Sequence, residues 1–420
     1  MSAKVTTALV FILTLSGCQT VSNVTTPSPL QLAEDISQSS LPSTVSPIES
    51  MAPTESELEN LRLPKQSNLR FQSVFAGDFA GGAEFMSTSS PLEYIDYLWG
   101  HEKKDPVRGL EIAKKLKWKD EVKFYTLNGR KAMELKPKLT NPDAMCLHAA
   151  HTVVAKFNDD SFDDALIACH GYDARPYPGD HSYLMLSSES GSYTLQRLTE
   201  NAGFYHGATT MDLNSDGLND IVLTDAANGD VLAYTNLGDG SFSKSRILLS
   251  SLRQNYVVFA ADLNNDRHAD LIVAGHEEER QKYDYMPSTV FWNDGSGNFS
   301  IGKKTTIPPL PGYGIVLDFI YEAPYLFVIR TQSLQNAYQG GAVQQIDMRS
   351  FSQVDLLKRP AIRHPAKLQR VYSPTGKIVF GSLDCDRNGM DFMLSSSGKI
   401  NLVRTIEIER TASGCISKTP

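Results

Sequence analysis

Asp212-Leu-Asn-Ser-Asp-Gly-Leu-Asn-Asp220, preceded by Ala208-Thr-Thr-Met211 and followed by Ile221-Val-Leu223, is the stretch that decides the fold. A polar loop between two short, continuously apolar runs predicts a hairpin of buried strands. Further on, Asn236-Leu-Gly-Asp-Gly-Ser-Phe242 supplies a Gly-rich turn of the Asn-Gly or Asp-Gly kind, and with it a second hairpin. The unit is therefore four strands.

The same unit recurs. Val257-Val-Phe-Ala-Ala261, Asp262-Leu-Asn-Asn-Asp-Arg-His-Ala-Asp270, Leu271-Ile-Val-Ala274 and Asn293-Asp-Gly-Ser-Gly-Asn-Phe299 repeat it in order. An earlier copy runs Lys156-Phe-Asn-Asp-Asp-Ser-Phe-Asp-Asp164, with Ser190-Gly-Ser-Tyr193 at its outer turn, and weaker copies begin near Asp78, Asp318 and Asp384. Four-stranded units repeating every roughly 50 to 80 residues predict an all-β fold, a β-propeller of six or seven blades. The units resemble the VCBS or FG-GAP repeat family, whose blades carry an Asp-x-Asx-x-Asp-Gly-x-x-Asp loop and an outer Asn-x-Gly-x-Gly-x-Phe turn. The resemblance covers most of residues 70–410, strong over 146–300 and faint outside, and the propeller is assigned to 69–420. An insertion over about 91–118 separates the two hairpins of the first blade; Leu110, Ile112 and Leu116 predict a helix in its second half.

Asp212, Asn214, Asp216 and Asp220 occupy positions 1, 3, 5 and 9 of their loop, and Gly217 at position 6 permits a sharp turn. With the Leu218 carbonyl, this all-oxygen set suits calcium. Asp262, Asn264, Asp266, Asp270 and the His268 carbonyl repeat it, with Arg267 at the Gly position, where φ > 0 is disfavoured. One or two structural calcium ions are expected. In the earlier loop Lys156 replaces the first Asp, and its ammonium is expected to take the cation's place and pair with Asp160 and Asp164. The last loop, Asp384 to Asp391, is one residue short; the pattern is lost near Asp78 and Asp318.

Residues flanking the inner hairpin belong to the opposite end of each blade. His148, His151 and His206 precede first strands, and His170, His276 and Arg330 follow second strands, so they are expected around one mouth of the central channel. Tyr172 and Asp173 share the His170 loop. This is the candidate ligand face, although each residue alone is a common loop residue. Glu277-Glu-Glu279 reads as a solvated charge run. No nucleophile elbow, P-loop or His-Glu-x-x-His motif is present.

The N-terminus has a positive start and an apolar run over 5–15, then Leu15-Ser16-Gly17-Cys18. This resembles a bacterial lipoprotein lipobox, implying cleavage after 17 and acylation of Cys18; an ordinary cleaved signal is the alternative. Gln19 resembles the outer-membrane default. Residues 18–68, crowded with Ser, Thr and Pro, predict a disordered tether reaching roughly 40 Å. If Cys18 of the five cysteines carries lipid, four remain. Cys146 and Cys169 fall at one blade end and are expected to bond, as are Cys385 and Cys415, which would fasten the tail. Free thiols are the alternative.

The net charge of −8 argues against a nucleic-acid partner. The expectation is an exported outer-membrane lipoprotein, attached to the membrane through Cys18, acting as a non-catalytic binding or adhesion module for a protein or glycan at the cell envelope. An envelope carbohydrate-active enzyme using the His-rich face, and a structural or assembly lipoprotein, stay open.

Overall fold

The computed structural model describes residues 12–13, 69–91, 106–128, 131–141, 145–173, 176–252, 255–278, 287–333, 338–363, 369–372, 378–381, 389–394, 400–406, 408–411 and 414–417. Cys18, the tether, Cys385 and the first half of the insertion lie outside these residues, and so does any bond between Cys385 and Cys415.

Among the described residues, six sheets are each built on four consecutive antiparallel strands and follow one another along the chain, a β-propeller architecture; Ile12–Leu13 adds a short antiparallel strand to the edge of the last. Blade one is Leu69–Phe79, Ala83–Pro91, Glu121–Asn128 and Lys131–Leu135; blade two is Ala149–Ala155, Asp164–Cys169, Tyr183–Ser187 and Ser192–Arg197. Blade three is Tyr205–Met211, Asp220–Asp225, Asp230–Tyr234 and Arg246–Leu249; blade four is Val257–Ala261, Asp270–Ala274, Thr289–Phe291 and Lys304–Thr306. Blade five is Ile315–Glu322, Tyr325–Thr331, Gln339–Asp347 and Ser352–Arg363; the sixth is Gln369–Tyr372, Ile378–Gly381, Gly389–Leu394 and Ile400–Ile406. A further strand, Lys138–Thr140, runs parallel along the outer edge of blade two.

The continuous apolar runs have a simple cause. Successive side chains of a strand point to opposite faces, and here both faces are covered by a neighbouring blade. Ile221 and Leu223 pack with Val153, Leu166 and Leu184 of blade two. Val222, between them, packs with Val258, Leu271 and Val273 of blade four. Ile272 and Ala274 turn the other way, onto Val316, Leu326 and Val328 of blade five. Outer strands, covered less, turn polar: Lys304–Thr306 is largely exposed.

Polar ties cross between blades as well. Asn219 Nδ2 donates to the Lys156 carbonyl and Asn236 Nδ2 to the Phe157 carbonyl, both at 3.2 Å, joining blade three to blade two. The Tyr193 hydroxyl donates to the Ala80 carbonyl at 3.0 Å, joining blade two to blade one.

The insertion ends in the helix Pro106–Leu116. Pro106 at its first position needs no donor there, Lys114 and Lys115 sit at the negative end of the helix dipole, and Ala113 is buried. Lys117, at φ 49°, closes it in the left-handed conformation.

Two weak repeats are built differently from expectation. In blade five the inner strands are joined through Ala323-Pro324, so the polar loop has shrunk to a tight turn and Asp318 lies within a strand at a register shift. In the last sheet Ile378–Gly381 is the second strand, not the first. The loop expected from Asp384 lies outside the described residues.

Candidate functional site

The two acidic loops share one hydrogen-bond pattern. Asp212 accepts the N–H groups of Asp216 at 3.1 Å and Gly217 at 2.9 Å; Asp216 accepts that of Leu218 at 2.9 Å and the Asn214 amide at 2.8 Å. In blade four, Asp262 accepts from Asp266 at 3.1 Å and Arg267 at 2.9 Å; Asp266 accepts from His268 N–H at 2.8 Å and the Asn264 amide at 2.9 Å. Gly217 has φ 86° and Arg267 φ 73°. The arginine takes up the glycine conformation despite its Cβ, at a cost of about 1–2 kcal/mol.

Asp220 and Asp270 stand behind the loops, buried. Burial raises Asp220 most, two backbone N–H bonds pull it back partway, and Asp216 and Asp212 push it up again, to about 6. Asp270 reaches about 7 for the same reasons, with Asp266 and Asp262 as its neighbours. All side-chain donors are oxygens, and among the described residues no Lys, Arg or His forms an ion pair with these six carboxylates. Such a donor set suits a hard divalent cation.

The Lys156 loop departs from expectation in its pairing. Lys156 Nζ donates to the Ser161 carbonyl and lies 3.8 Å from Asp163 rather than bonding Asp160 or Asp164. Asp164 is occupied by the N–H groups of Phe157 at 2.8 Å and Ser187 at 2.7 Å, and Asp160 by that of Phe162 at 2.9 Å.

At the other end of the blades, side-chain rings form a continuous band. His148 and His170 lie 3.9 Å apart by ring centroid. His170 meets Phe204 at 4.7 Å and stacks parallel to His206 at 5.4 Å. His206 meets Tyr256 at 5.0 Å, Tyr256 meets His276 at 4.6 Å, and His276 meets Tyr338 at 6.1 Å. The band runs from blade two to blade five. His206 Nδ1 donates to the Tyr256 carbonyl at 2.8 Å, and His276 Nε2 lies 3.2 Å from the Tyr338 hydroxyl.

The Cys146–Cys169 disulfide is formed. It joins the segments bearing His148 and His170, whose backbones are also bonded, His170 N–H donating to the His148 carbonyl at 3.3 Å. Asp120, fully buried, accepts the N–H groups of His148 at 2.9 Å and Ala149 at 2.6 Å and holds His148 at φ 61°. Burial pushes the Asp120 carboxyl up to about 6.

Residues 212–273 match the family model described as FG-GAP-like repeat. That segment is an FG-GAP-like repeat. The matched segment begins at the first acidic loop and ends on the second strand of blade four. No curated protein matches the chain. Among solved structures, it is similar to the periplasmic gluconolactonase PpgL of Pseudomonas aeruginosa, at 12% identity over 82% of this chain and 87% of that one, TM-score 0.46. It is similar to virginiamycin B lyase from Staphylococcus aureus at 13% identity over 81% and 86%, TM-score 0.42. A lectin of Agrocybe aegerita that recognises non-reducing terminal N-acetylglucosamine matches at 14% identity, TM-score 0.38; the match covers 58% of this chain and 63% of that one.

Of the face residues expected from the sequence, His148, His170, His206 and His276 are brought together and Asp173 lies beside them. His151 and His206 lie inside the first strands, not before them, and Tyr172 is buried. Arg330 is not on the face at all. It lies within the second strand of blade five, 0% exposed, and donates to Glu277 at 2.6 and 3.1 Å and to Gln344 at 2.8 Å. Glu277 is 1% exposed, so the acidic run begins with a buried ion pair rather than solvated charge. Glu278 accepts from Gly312 N–H and the Ser333 hydroxyl. Phe204, Tyr256 and Tyr338 complete the band, and a lone aromatic beside a strand end reads in sequence as core. Tyr256 had a signal: it directly precedes the first strand of blade four.

Proposed function

We propose that this protein is a calcium-stabilised binding module, lipid-anchored through Cys18 at the bacterial cell envelope, that holds a glycan on the ring band. Continuity of the band from His148 to Tyr338 carries this reading. Rings supply apolar faces, while imidazole nitrogens and tyrosine hydroxyls supply polar edges, and a saccharide has both kinds of surface. The acidic loops take calcium at the opposite end and keep the inner hairpins in register. The Cys18 lipid joins the domain to the outer membrane through the 18–68 tether.

The concentration of imidazoles favours a second reading, an enzyme acting on the same class of ligand. The test is binding of the mature chain to immobilised peptidoglycan fragments and envelope polysaccharides, with product analysis of every bound glycan. Tyr256→Ala and Tyr338→Ala are each expected to weaken binding at least 10-fold, with the melting temperature unchanged in the exposed Tyr338→Ala. Binding indifferent to both variants, or capture of envelope proteins with no glycan bound, overturns the proposal. Turnover that disappears in His206→Ala establishes the enzyme.

A further inference from the structure

His148, His170 and Asp173 form a cluster that the ring band alone does not explain. One ligand atom from each lies within 4.8 Å of the other two. His170 is 2% exposed, His148 is half-buried, and Asp173 opens to solvent. Two imidazoles and a carboxylate thus meet at the rim of the face, with one side toward water.

The surroundings hold this cluster in place from three directions. The Cys146–Cys169 bond fixes the two segments that carry the histidines. Asp120 fixes the backbone at His148 with two accepted N–H bonds, in a left-handed conformation that a histidine adopts only where its surroundings impose it. His170 Nδ1 lies 3.2 Å from the Gly171 carbonyl, an acceptor only, so in the neutral ring Nδ1 carries the proton and Nε2 the lone pair. A metal-bound imidazole is typically oriented by such a donation from its other nitrogen.

We propose that His148, His170 and Asp173 bind a zinc-class transition-metal ion, with an open coordination position toward the ligand face. The donor chemistry selects the metal. Two nitrogens and one oxygen suit borderline cations such as zinc, whereas calcium takes oxygen ligands. The two ends of the molecule therefore select different cations: hard ones at the Asp212 and Asp262 loops, borderline ones at the histidines. Three protein ligands leave a fourth tetrahedral position for water or a ligand group. Ligands around zinc at about 2.0–2.1 Å lie roughly 3.3 Å from one another, so binding draws the three side chains inward from their present spread. His206, parallel to His170 at 5.4 Å, lies outside the ligand set.

The cluster shares His148 and His170 with the ring band, but metal binding is read here without any glycan. The mature chain, stripped of transition metals and held in excess calcium, is titrated with zinc against a chromogenic chelator and, in parallel, with cobalt while visible absorption is recorded. One equivalent of zinc should bind with a Kd below about 1 μM, and cobalt should give the intense visible bands of four- or five-coordination. Asp173→Asn, isosteric and at the solvent side, should weaken zinc at least 10-fold and change the cobalt spectrum. His148→Ala should abolish both, and His276→Ala, outside the cluster, should leave both unchanged. Absence of stoichiometric zinc binding, affinity unmoved by Asp173→Asn, or equal loss in His276→Ala overturns the proposal.

Discussion

The carboxylate of Asp220 accepts the backbone N–H of Asn236 at 2.8 Å while its second oxygen accepts that of Leu213 at 2.8 Å. One side chain thus ties the inner loop of a blade to its outer turn. Asp270 does the same for Asn293 and Leu263, and Asp164 for Ser187 and Phe157. Asp220→Ala leaves two buried donors without their acceptor and should cost about 2–4 kcal/mol, measured by urea unfolding. A loss below about 1 kcal/mol would show that the tie is dispensable.

Calcium is expected to act at the loops in front of these aspartates. At a hundred times its Kd a ligand specific for the folded state stabilises by about 2.7 kcal/mol. The mature chain should melt at a higher temperature in calcium than in chelator, and Asp212→Ala combined with Asp262→Ala should remove the difference. Equal melting of the wild type in both conditions excludes loops of useful affinity.

Asp164 predicts a pH dependence that needs no metal. Burial pushes its carboxyl above the ordinary value, whereas the unfolded chain titrates it near 3.9. Between the two values the folded state keeps a proton that the unfolded state has released, so stability falls as pH rises. The contribution is complete below about pH 4 and disappears as pH rises through the raised value. Stability of the wild type minus that of Asp164→Asn should therefore decline on going from pH 4 to neutrality. A flat or rising difference contradicts the shift.

The buried pair of Arg330 and Glu277 offers a fourth kind of measurement. Arg330→Met leaves the buried Glu277 without its ion-pair partner, at a cost of about 3–5 kcal/mol. Adding Glu277→Leu should restore most of the loss, because an apolar pair avoids the desolvation penalty. If the two changes instead add in denaturant unfolding, the residues are not coupled.

Much of this was legible in the spacing of residues. The run Asp212 to Leu223 and its copy Asp262 to Ala274 implied paired hairpins, and the alternate burial of Ile221, Val222 and Leu223 between neighbouring blades is what those apolar runs required. Positions 148, 170, 206 and 276 could be placed at one end by counting from the loops. Spacing does not reveal which oxygen meets which N–H, so the tie from Asp220 to Asn236 was invisible. Arg330 and Glu277 were misplaced because a long-range ion pair has no local signature. The last sheet was offset because Val379 begins an apolar run that fits a first or a second strand equally well.

Asn219 and Asn236 have a consequence for how the molecule comes apart. Their side chains leave blade three and bond backbone carbonyls of blade two, beside an apolar seam shared by the same two sheets. A string of independent sheets would lose hydrogen-exchange protection one sheet at a time. Sewn together in this way, the second and third sheets should open as one cooperative unit. A cut within either would then release both, and disturbance of the Asp212 loop would reach the Lys156 loop through bonds rather than through solvent.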